Sequence, residues 1–315
     1  MSNVTGAAQG IATGEVGGRH RSLYRDAFIR LLKGKPLGVV GLAIVLVFIA
    51  FAVFAPMIAP SDPNELAAGP RFSSPSFSHP MGTDNLGRDV FSRVVWGARI
   101  SITIGMIAVV AGTVIALSIG LASGFIGGWV DSIFQRVVDA FMAFPGLVFI
   151  LAVVSVFHQY KIPFLPATGI IRTENIVLMA TIGTLLGVGA SRVIRSNVLS
   201  LAATTYVDAA RALGAGPMRL MLVHILPNIL PLTITLATLW LGAAILLEAT
   251  LSFLGLGVPP DVPTWGGMLS REARQWMDRA PWLLISPGIA LSLAVFGFNM
   301  LGDALRDVLD PRLRS

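Results

Sequence analysis

Six long apolar segments constrain the fold of this chain more than any other feature. Each has about 20 or more residues, enough for a helix to cross a hydrocarbon core of roughly 30 Å. The segments lie at 37–58, 100–126, 137–157, 176–196, 229–256 and 282–302. The sequence therefore predicts an all-α, polytopic membrane protein with six transmembrane helices.

The composition supports a membrane protein and excludes several classes of site. Of the 315 residues, 54% are hydrophobic and 13% are charged, whereas a soluble domain carries roughly 25% charged residues. The chain has no cysteine, which excludes disulfides, thiol catalysis and zinc–thiolate sites. The four histidines lie far apart in the sequence and lack the spacing of metal ligands. We therefore predict no metal site and no catalytic residues.

The distribution of positive charge predicts the orientation in the membrane. If the N-terminus is cytoplasmic, 14 of the 23 Lys and Arg residues lie inside and nine lie outside. Cytoplasmic loops are enriched in these residues, so both termini are predicted to be cytoplasmic, in a cell (inner) membrane. The net charge of +6 is attributed to this bias, and no nucleic-acid partner is expected. Residues 19–35 form a basic amphipathic stretch suited to the lipid surface.

A polar helical hairpin at 206–227 separates two apolar segments on the predicted cytoplasmic side. Thr205 and Asp208 fit a capping box that opens a helix ending near residue 213. Ala209 and Ala210 keep one side of this helix thin, so a partner protein can approach closely. An ordinary interfacial turn is the alternative interpretation.

Turn-forming residues divide the same hairpin into two helices. Gly214 and Gly216 can adopt positive φ and end the first helix, and Pro217 suits the first turn of the next. The result is two short helices at an angle, of which the first has the shape of a plug.

This hairpin resembles the EAA loop of ABC-importer permeases, E-A-A-x-x-x-G-x9-I-x-L-P. The positions that match are Asp208, Ala209, Ala210, Gly214, Leu226 and Pro227. Asp208 stands where Glu is usual and His224 where Ile is usual, so no role is transferred to His224. The resemblance implies a coupling loop at 200–228, including Thr205 and Arg211, that contacts an ATPase subunit.

Two predicted outer stretches resemble the dipeptide/oligopeptide branch of these permeases. Residues 82–93 match G-T-D-x-x-G-R-D-V-x-S-R, and residues 247–266 match L-E-A-x-L-S-F-L-G-L-G-x-x-P-P-x-P-x-W-G, with the proline pair one place early. The resemblance implies the C-type permease subunit, with a type I ABC-importer permease fold. The candidate contacts for a docked binding protein are Asp84, Arg88, Asp89 and Trp265. Alternatively, Arg88 and Asp89 pair with each other or with the surface.

The resemblance also implies a division of the chain and a set of partners. The predicted regions are a tail at 1–36, a first span with an outer segment at 37–99, a five-helix core at 100–302 and a tail at 303–315. The implied partners are a second permease subunit, one or two ATP-binding subunits and an extracytoplasmic binding protein. The sequence contains no G-x-x-x-x-G-K-[ST], so ATP and magnesium are expected on a partner rather than on this chain.

Glu248 is an acid inside an apolar segment, which by default indicates a functional site. Two interpretations are open: it lines the translocation path, or it holds helices together. For the substrate, dipeptides or oligopeptides are predicted, with nickel chelates or glutathione as alternatives. An ion-coupled secondary carrier is disfavoured, because such carriers often show internal repeats and several intramembrane charges.

Glycines spaced four apart predict close helix packing. They are the pairs Gly120/Gly124, Gly124/Gly128 and Gly183/Gly187.

Overall fold

The structure is a computed structural model that describes residues 35–157 and 172–309. These residues form eleven α-helices, one π-helical turn and connecting loops, with one isolated β-bridge between Thr83 and Asp89. The helices are α1 Pro36–Ile58, α2 Val90–Ile126, α3 Gly128–Met142, α4 Gly146–Phe157, α5 Thr173–Ala202, α6 Thr205–Ala212, α7 Pro217–Arg219, α8 Leu226–Phe253, α9 Trp265–Met268, α10 Arg271–Gln275 and α11 Trp282–Leu309. The all-α prediction is confirmed. The basic stretch 19–35 lies outside the described residues, apart from Lys35, and so does the end of the C-terminal tail.

Five helical segments in the described residues have the length and composition to cross a membrane. They are α1, α2, α5, the run Pro217–Phe253 and α11. Helices α3 and α4 make a sixth if the two form one span, but they meet at an angle of 87°. The predicted third span, 137–157, is therefore broken rather than straight. Pro145 lies at the break, where its ring removes a backbone donor and disfavours helical geometry at the preceding residue.

Helix α2 begins at Val90, ten residues before the predicted start of the second span. Its N-cap is Asp89, whose carboxylate accepts the backbone N–H of Ser92 at 2.7 Å. Such a cap pairs one of the N–H groups that a helix start otherwise leaves free. The helix has 37 residues and a length of about 55 Å, so it extends beyond a single membrane span.

Helices α2 and α5 form the most extensive helix–helix contact among the described residues. A Cβ added at Gly112 would lie 2.8 Å from the carbonyl oxygen of Gly183, and one at Gly120 would lie 2.6 Å from the Cβ of Ile194. Glycine is thus required at both sites for this approach. The predicted packing role is wrong for Gly128, which has a φ of +56° and no described atom within 4 Å of an added Cβ. It forms the turn into α3.

Two loops, 59–89 and 254–281, close one end of the bundle. We call them the outer loops, because this end is predicted to be extracytoplasmic. Trp265 is fully buried, its indole N–H donates to the carbonyl oxygen of Val94 at 3.0 Å, and its ring lies 5.1 Å from that of Phe48. Trp282 donates to the carbonyl oxygen of Thr83 at 3.1 Å. These two tryptophans attach the loops to α1, α2 and α11. Helix α11 in turn packs against α1 and α8.

Candidate coupling site

Helix α6 presents one buried face and one exposed face. Val207 is fully buried in a hydrophobic cluster with Leu220, Ile225 and Ile229. Asp208, by contrast, lies on the exposed face. Apolar burial of this kind stabilises a helix that is too short to be stable alone. The hairpin is therefore a folded unit seated on the beginning of α8.

The predicted capping box at the start of α6 is wrong. The N-cap residue is Thr204, one position earlier, and its hydroxyl donates to the carbonyl oxygen of Leu201 at 2.6 Å. Its backbone N–H donates to the same oxygen at 3.1 Å, closing a turn after α5. This turn places Thr205 inside the helix. Asp208 accepts a hydrogen bond from Arg211 at 2.9 Å, and both side chains of this pair are exposed.

Of the two glycines predicted to adopt positive φ at the end of α6, only one does so. Gly214 has a φ of +86°, and its N–H donates to the carbonyl oxygen of Arg211 at 3.0 Å. The N–H of Ala215 reaches the carbonyl oxygen of Ala210 at 3.1 Å. Together these bonds form a Schellman motif, for which a left-handed glycine is favoured. Gly216 has a φ of −68° and precedes Pro217 in an extended conformation, so positive φ at this position is wrong.

The two alanines of the motif differ in burial. Ala209 is exposed, whereas Ala210 is half-buried and packs against the cluster around Val207. The surface open to a partner is thus centred on Ala209. Leu213, at the tip of the hairpin, is 90% exposed, and the sequence reasoning did not select it. An apolar residue next to a turn glycine was the signal that could have identified it.

The base of the hairpin contains a π-helical turn over Leu220–Ile225. Tyr206 donates its hydroxyl hydrogen to the backbone carbonyl oxygen of His224, and Asn228 donates to the same oxygen at 2.7 Å. Sequence reasoning missed Tyr206 and Asn228. The atom that they share is a backbone oxygen, which no side-chain pattern can predict. Of the two motif positions that follow, Leu226 is half-buried and Pro227 is exposed.

Glu248 is fully buried, away from the hairpin. Its carboxylate accepts hydrogen bonds from Ser101 of α2 at 3.0 Å and from Ser252 of α8 at 2.8 Å. The N–H of Trp265 approaches the Ser101 hydroxyl oxygen at 3.4 Å. The acid therefore joins two helices and an outer loop in this chain, as the packing interpretation requires. Its place on a translocation path stays a prediction.

The four residues predicted to contact a binding protein are buried or mostly buried within the outer loops. Asp84 accepts from the Arg88 side chain at 2.5 Å, and Asp89 caps α2 while its other oxygen lies 3.0 Å from His79 Nδ1. Asp84, Asp89 and Trp265 are buried, and Arg88 is mostly buried. The alternative of internal pairing is seen for Arg88, whose side chain pairs with Asp84, while Asp89 bonds to His79 and Ser92. A contact with a binding protein stays a prediction, and the geometry assigns these side chains to shaping the loops.

Among residues 35–157 and 172–309, no group of three or more His, Asp or Glu side chains could hold a metal ion. A cavity of about 250 Å³ lies between the two outer loops, bounded by Arg88 and Thr264 among others. Its lining mixes apolar and charged side chains. The docking role of the hairpin stays a prediction.

The chain matches two family models and full-length relatives. Residues 112–315 match the binding-protein-dependent transport system inner membrane component, and residues 22–75 match the N-terminal transmembrane domain of oligopeptide transport permease C. The chain is 40% identical to the dipeptide transport system permease protein of Alkalihalophilus pseudofirmus, over 93% of this chain and 91% of that protein.

Two further relatives carry different substrate names. The glutathione transport system permease protein of Pectobacterium atrosepticum is 37% identical, over 94% of this chain and 93% of that protein. A putative peptide transport system permease protein of Brucella suis is 38% identical, over 87% and 88%. The predicted permease fold and branch are confirmed by these matches. This multi-pass membrane chain belongs to the family of binding-protein-dependent transport system inner membrane components.

Proposed function

We propose that this chain is one permease subunit of an ATP-driven importer that moves dipeptides or oligopeptides into the cell. The observation that carries the proposal is the seated hairpin, with α6 held on a buried base and its Ala209 face open. Relatives whose names specify dipeptide or peptide transport support the substrate class. The partners are a second permease subunit, one or two ATP-binding subunits and an extracytoplasmic binding protein.

The chain supplies the passage and the docking element, and its partners supply ATP hydrolysis. Its sequence has no glycine-rich phosphate loop with Lys and Ser/Thr, so ATP and magnesium bind to the partner subunit. The hairpin faces the cytoplasm, as the excess of Lys and Arg on that side favours. Closure of the ATPases then moves α6, and the helix bundle opens outward.

Ala209→Arg tests the docking role. Ala209 is exposed, so the arginine is tolerated by the chain itself, while its bulk and charge block close approach of a partner. We expect peptide uptake and substrate-stimulated ATP hydrolysis in the reconstituted complex to fall at least about tenfold, because a like-charge or steric conflict at an interface costs several kcal/mol. Ser74→Arg adds the same charge on the outer loop and is the control. Wild-type uptake by Ala209→Arg disproves docking at this face.

Glutathione is a second candidate substrate, because a relative named for it aligns over 94% of this chain. A competition assay for uptake distinguishes peptide from glutathione as the substrate. It uses proteoliposomes that are loaded with ATP and supplied with the copurified binding protein. We expect unlabelled dipeptide to displace a labelled dipeptide, and glutathione to compete at least about tenfold less well, the effect of roughly 1.4 kcal/mol in affinity. The reverse order supports glutathione, and nickel-dependent uptake supports a chelate. Uptake that needs an ion gradient but no ATP indicates a secondary carrier.

A further inference from the structure

We propose that Tyr206 and Asn228 are positioning residues that brace the coupling helix to the start of α8. The brace makes α6, the π-helical turn and the start of α8 move as one body when the ATPases close. The proposal rests on the proposed function and names the residues that transmit the movement from the docking face to the membrane helix.

The brace is centred on one backbone oxygen. The carbonyl oxygen of His224 accepts the Tyr206 hydroxyl hydrogen and a hydrogen of the Asn228 amide, the latter at 2.7 Å. The amide nitrogen also lies 3.3 Å from the Tyr206 hydroxyl oxygen. The rings of Tyr206 and His224 have centroids 5.6 Å apart. One residue of α6 and one of α8 therefore bond to the same atom of the intervening turn.

The backbone of this turn is suited to such a role. Residues Leu220–Ile225 form a π-helical turn, and Pro227 immediately follows its junction with α8. A proline has no N–H to donate, so the α-helical bond to the carbonyl of Val223, four residues earlier, cannot form. The carbonyl of the next residue, His224, accepts the two side-chain hydrogen bonds. π-helical turns within helices often occur at functional positions.

The rest of the hairpin would permit α6 to move independently. Helix α6 has eight residues, and Val207 is its one buried residue. It is joined to α5 by a turn at Thr204 and to α7 through Gly214, which has a φ of +86° and no described atom within 4 Å of an added Cβ. An isolated helix of this length is marginal in water. Val207 and the half-buried Ala210 pack one face of α6 against the apolar cluster, which is a non-directional contact, and the hydrogen bonds to His224 add a fixed orientation.

Tyr206→Phe tests the brace because it keeps the ring and removes only the hydroxyl. In the reconstituted complex, uptake and ATP hydrolysis are measured in the same proteoliposomes. We expect peptide taken up per ATP hydrolysed to fall about fivefold, the factor that the loss of one net hydrogen bond corresponds to. ATP hydrolysis itself is expected to stay within about twofold of wild type. A merely structural role would lower both rates together and leave their ratio unchanged, which overturns the proposal.

Asn228→Ala gives an independent readout of the same brace. Asn228→Ala should also lower the amount of peptide taken up per ATP hydrolysed. The double variant should lower this ratio by less than the product of the two single effects, because both residues bond to one oxygen. Fully multiplicative effects overturn a shared brace. Asn197→Ala is the matched control, since it removes an amide donor bonded at 3.0 Å to the backbone oxygen of Val193 on α5. The control should leave the ratio unchanged.

A distance measurement tests the brace without transport. The chain has no cysteine, so Ala212→Cys and Leu230→Cys can carry a pair of spin labels on α6 and α8. We expect a narrow distance distribution in the purified complex that broadens when Tyr206→Phe is added. A distribution that is already broad, or that Tyr206→Phe does not change, overturns the brace. Failure of the wild-type complex to transport any peptide would instead count against the proposed function, and the label distances would still test the brace.

Discussion

At the residue scale, the buried acid Glu248 has a hydrogen-bond donor within the chain for each of its two oxygens. A buried carboxylate is costly unless its oxygens are bonded, and here Ser101 and Ser252 each donate to one oxygen. The sequence showed only that an acid lay in an apolar segment. The partners explain how the bundle tolerates it, and they place it in the junction between α2, α8 and the outer loop that contains Trp265.

Glu248→Leu and Glu248→Gln distinguish the packing role from the path role. Leucine leaves two buried serine hydroxyls without their acceptor, at a cost of about 1–3 kcal/mol for each unpaired group. We expect the yield and melting temperature of the detergent-solubilised complex to fall in Glu248→Leu. Glutamine keeps an acceptor oxygen and the side-chain shape, so its effect on yield should be smaller.

Uptake by the same variants completes the comparison. A charge that lines the path predicts altered uptake in Glu248→Gln despite normal assembly. Normal uptake in that variant ends the path hypothesis, and lost yield in both variants favours packing. Normal yield and melting temperature in Glu248→Leu contradict the packing role.

At the element scale, glycines have different roles: in helices they allow close packing, and in turns they adopt positive φ. Along α5, Gly183 lies against α2, whereas Gly189 has no described atom within 4 Å of an added Cβ. In the hairpin, Gly214 adopts positive φ, whereas Gly216 does not. Each element therefore contains a glycine that its geometry requires and a nearby glycine that it does not require.

Gly112→Ala and Gly189→Ala form a matched pair for the α2–α5 contact. At Gly112 the new methyl group would lie 2.8 Å from the carbonyl oxygen of Gly183, and overpacking of this kind costs about 1–3 kcal/mol. At Gly189 the substitution has open space and improves helix propensity by up to about 1 kcal/mol. We expect a lower thermal midpoint for the first variant and an equal or higher one for the second. Equal loss at both sites argues against the close contact.

Gly214→Ala and Gly216→Ala form the matched pair for the hairpin. Alanine at a φ of +86° is strained by about 1–2 kcal/mol, which should loosen the end of α6. A φ of −68° at Gly216 suits alanine without strain. We therefore expect Gly214→Ala to reduce substrate-stimulated ATP hydrolysis several-fold and Gly216→Ala to leave it close to wild type. Loss in both variants would point to the docking surface rather than to the turn.

At the scale of the whole molecule, the hairpin and the outer loops lie on the two opposite sides of the predicted membrane region. Trp265 and Trp282 attach the outer loops to the helix bundle, while the hairpin is seated on α8. Proposals for both faces depend on one orientation, with the hairpin inside the cell. The charge distribution favours that orientation, and it can be tested directly.

Cysteine labelling tests the orientation, since the natural chain has no cysteine. Phe77 and Leu213 are among the most exposed apolar side chains, on the outer loop and on the hairpin. In sealed cells we expect an impermeant maleimide to label Phe77→Cys and to leave Leu213→Cys unlabelled until the cells are opened. Labelling of Leu213→Cys from outside refutes the orientation.

The sequence alone determined the features that depend on local chemistry. Long apolar runs predicted the helices because a membrane span is set by length and hydropathy. Gly214 and Pro217 predicted the hairpin because positive φ and a missing N–H act on the residue that carries them. The spaced motifs around Asp208 and Glu248 pointed to the permease family, which the family matches confirm.

Only the tertiary structure decided which side chains face inward and what they bond to. Ser101 lies 147 residues from Glu248, and no local pattern relates the two. Asp89 and Trp265 stood in exposed-looking loops, yet the fold buries both. The Tyr206 brace depends on a backbone oxygen in a π-helical turn. Contacts of this kind arise from the packing of distant elements, which local hydropathy and turn preference do not encode.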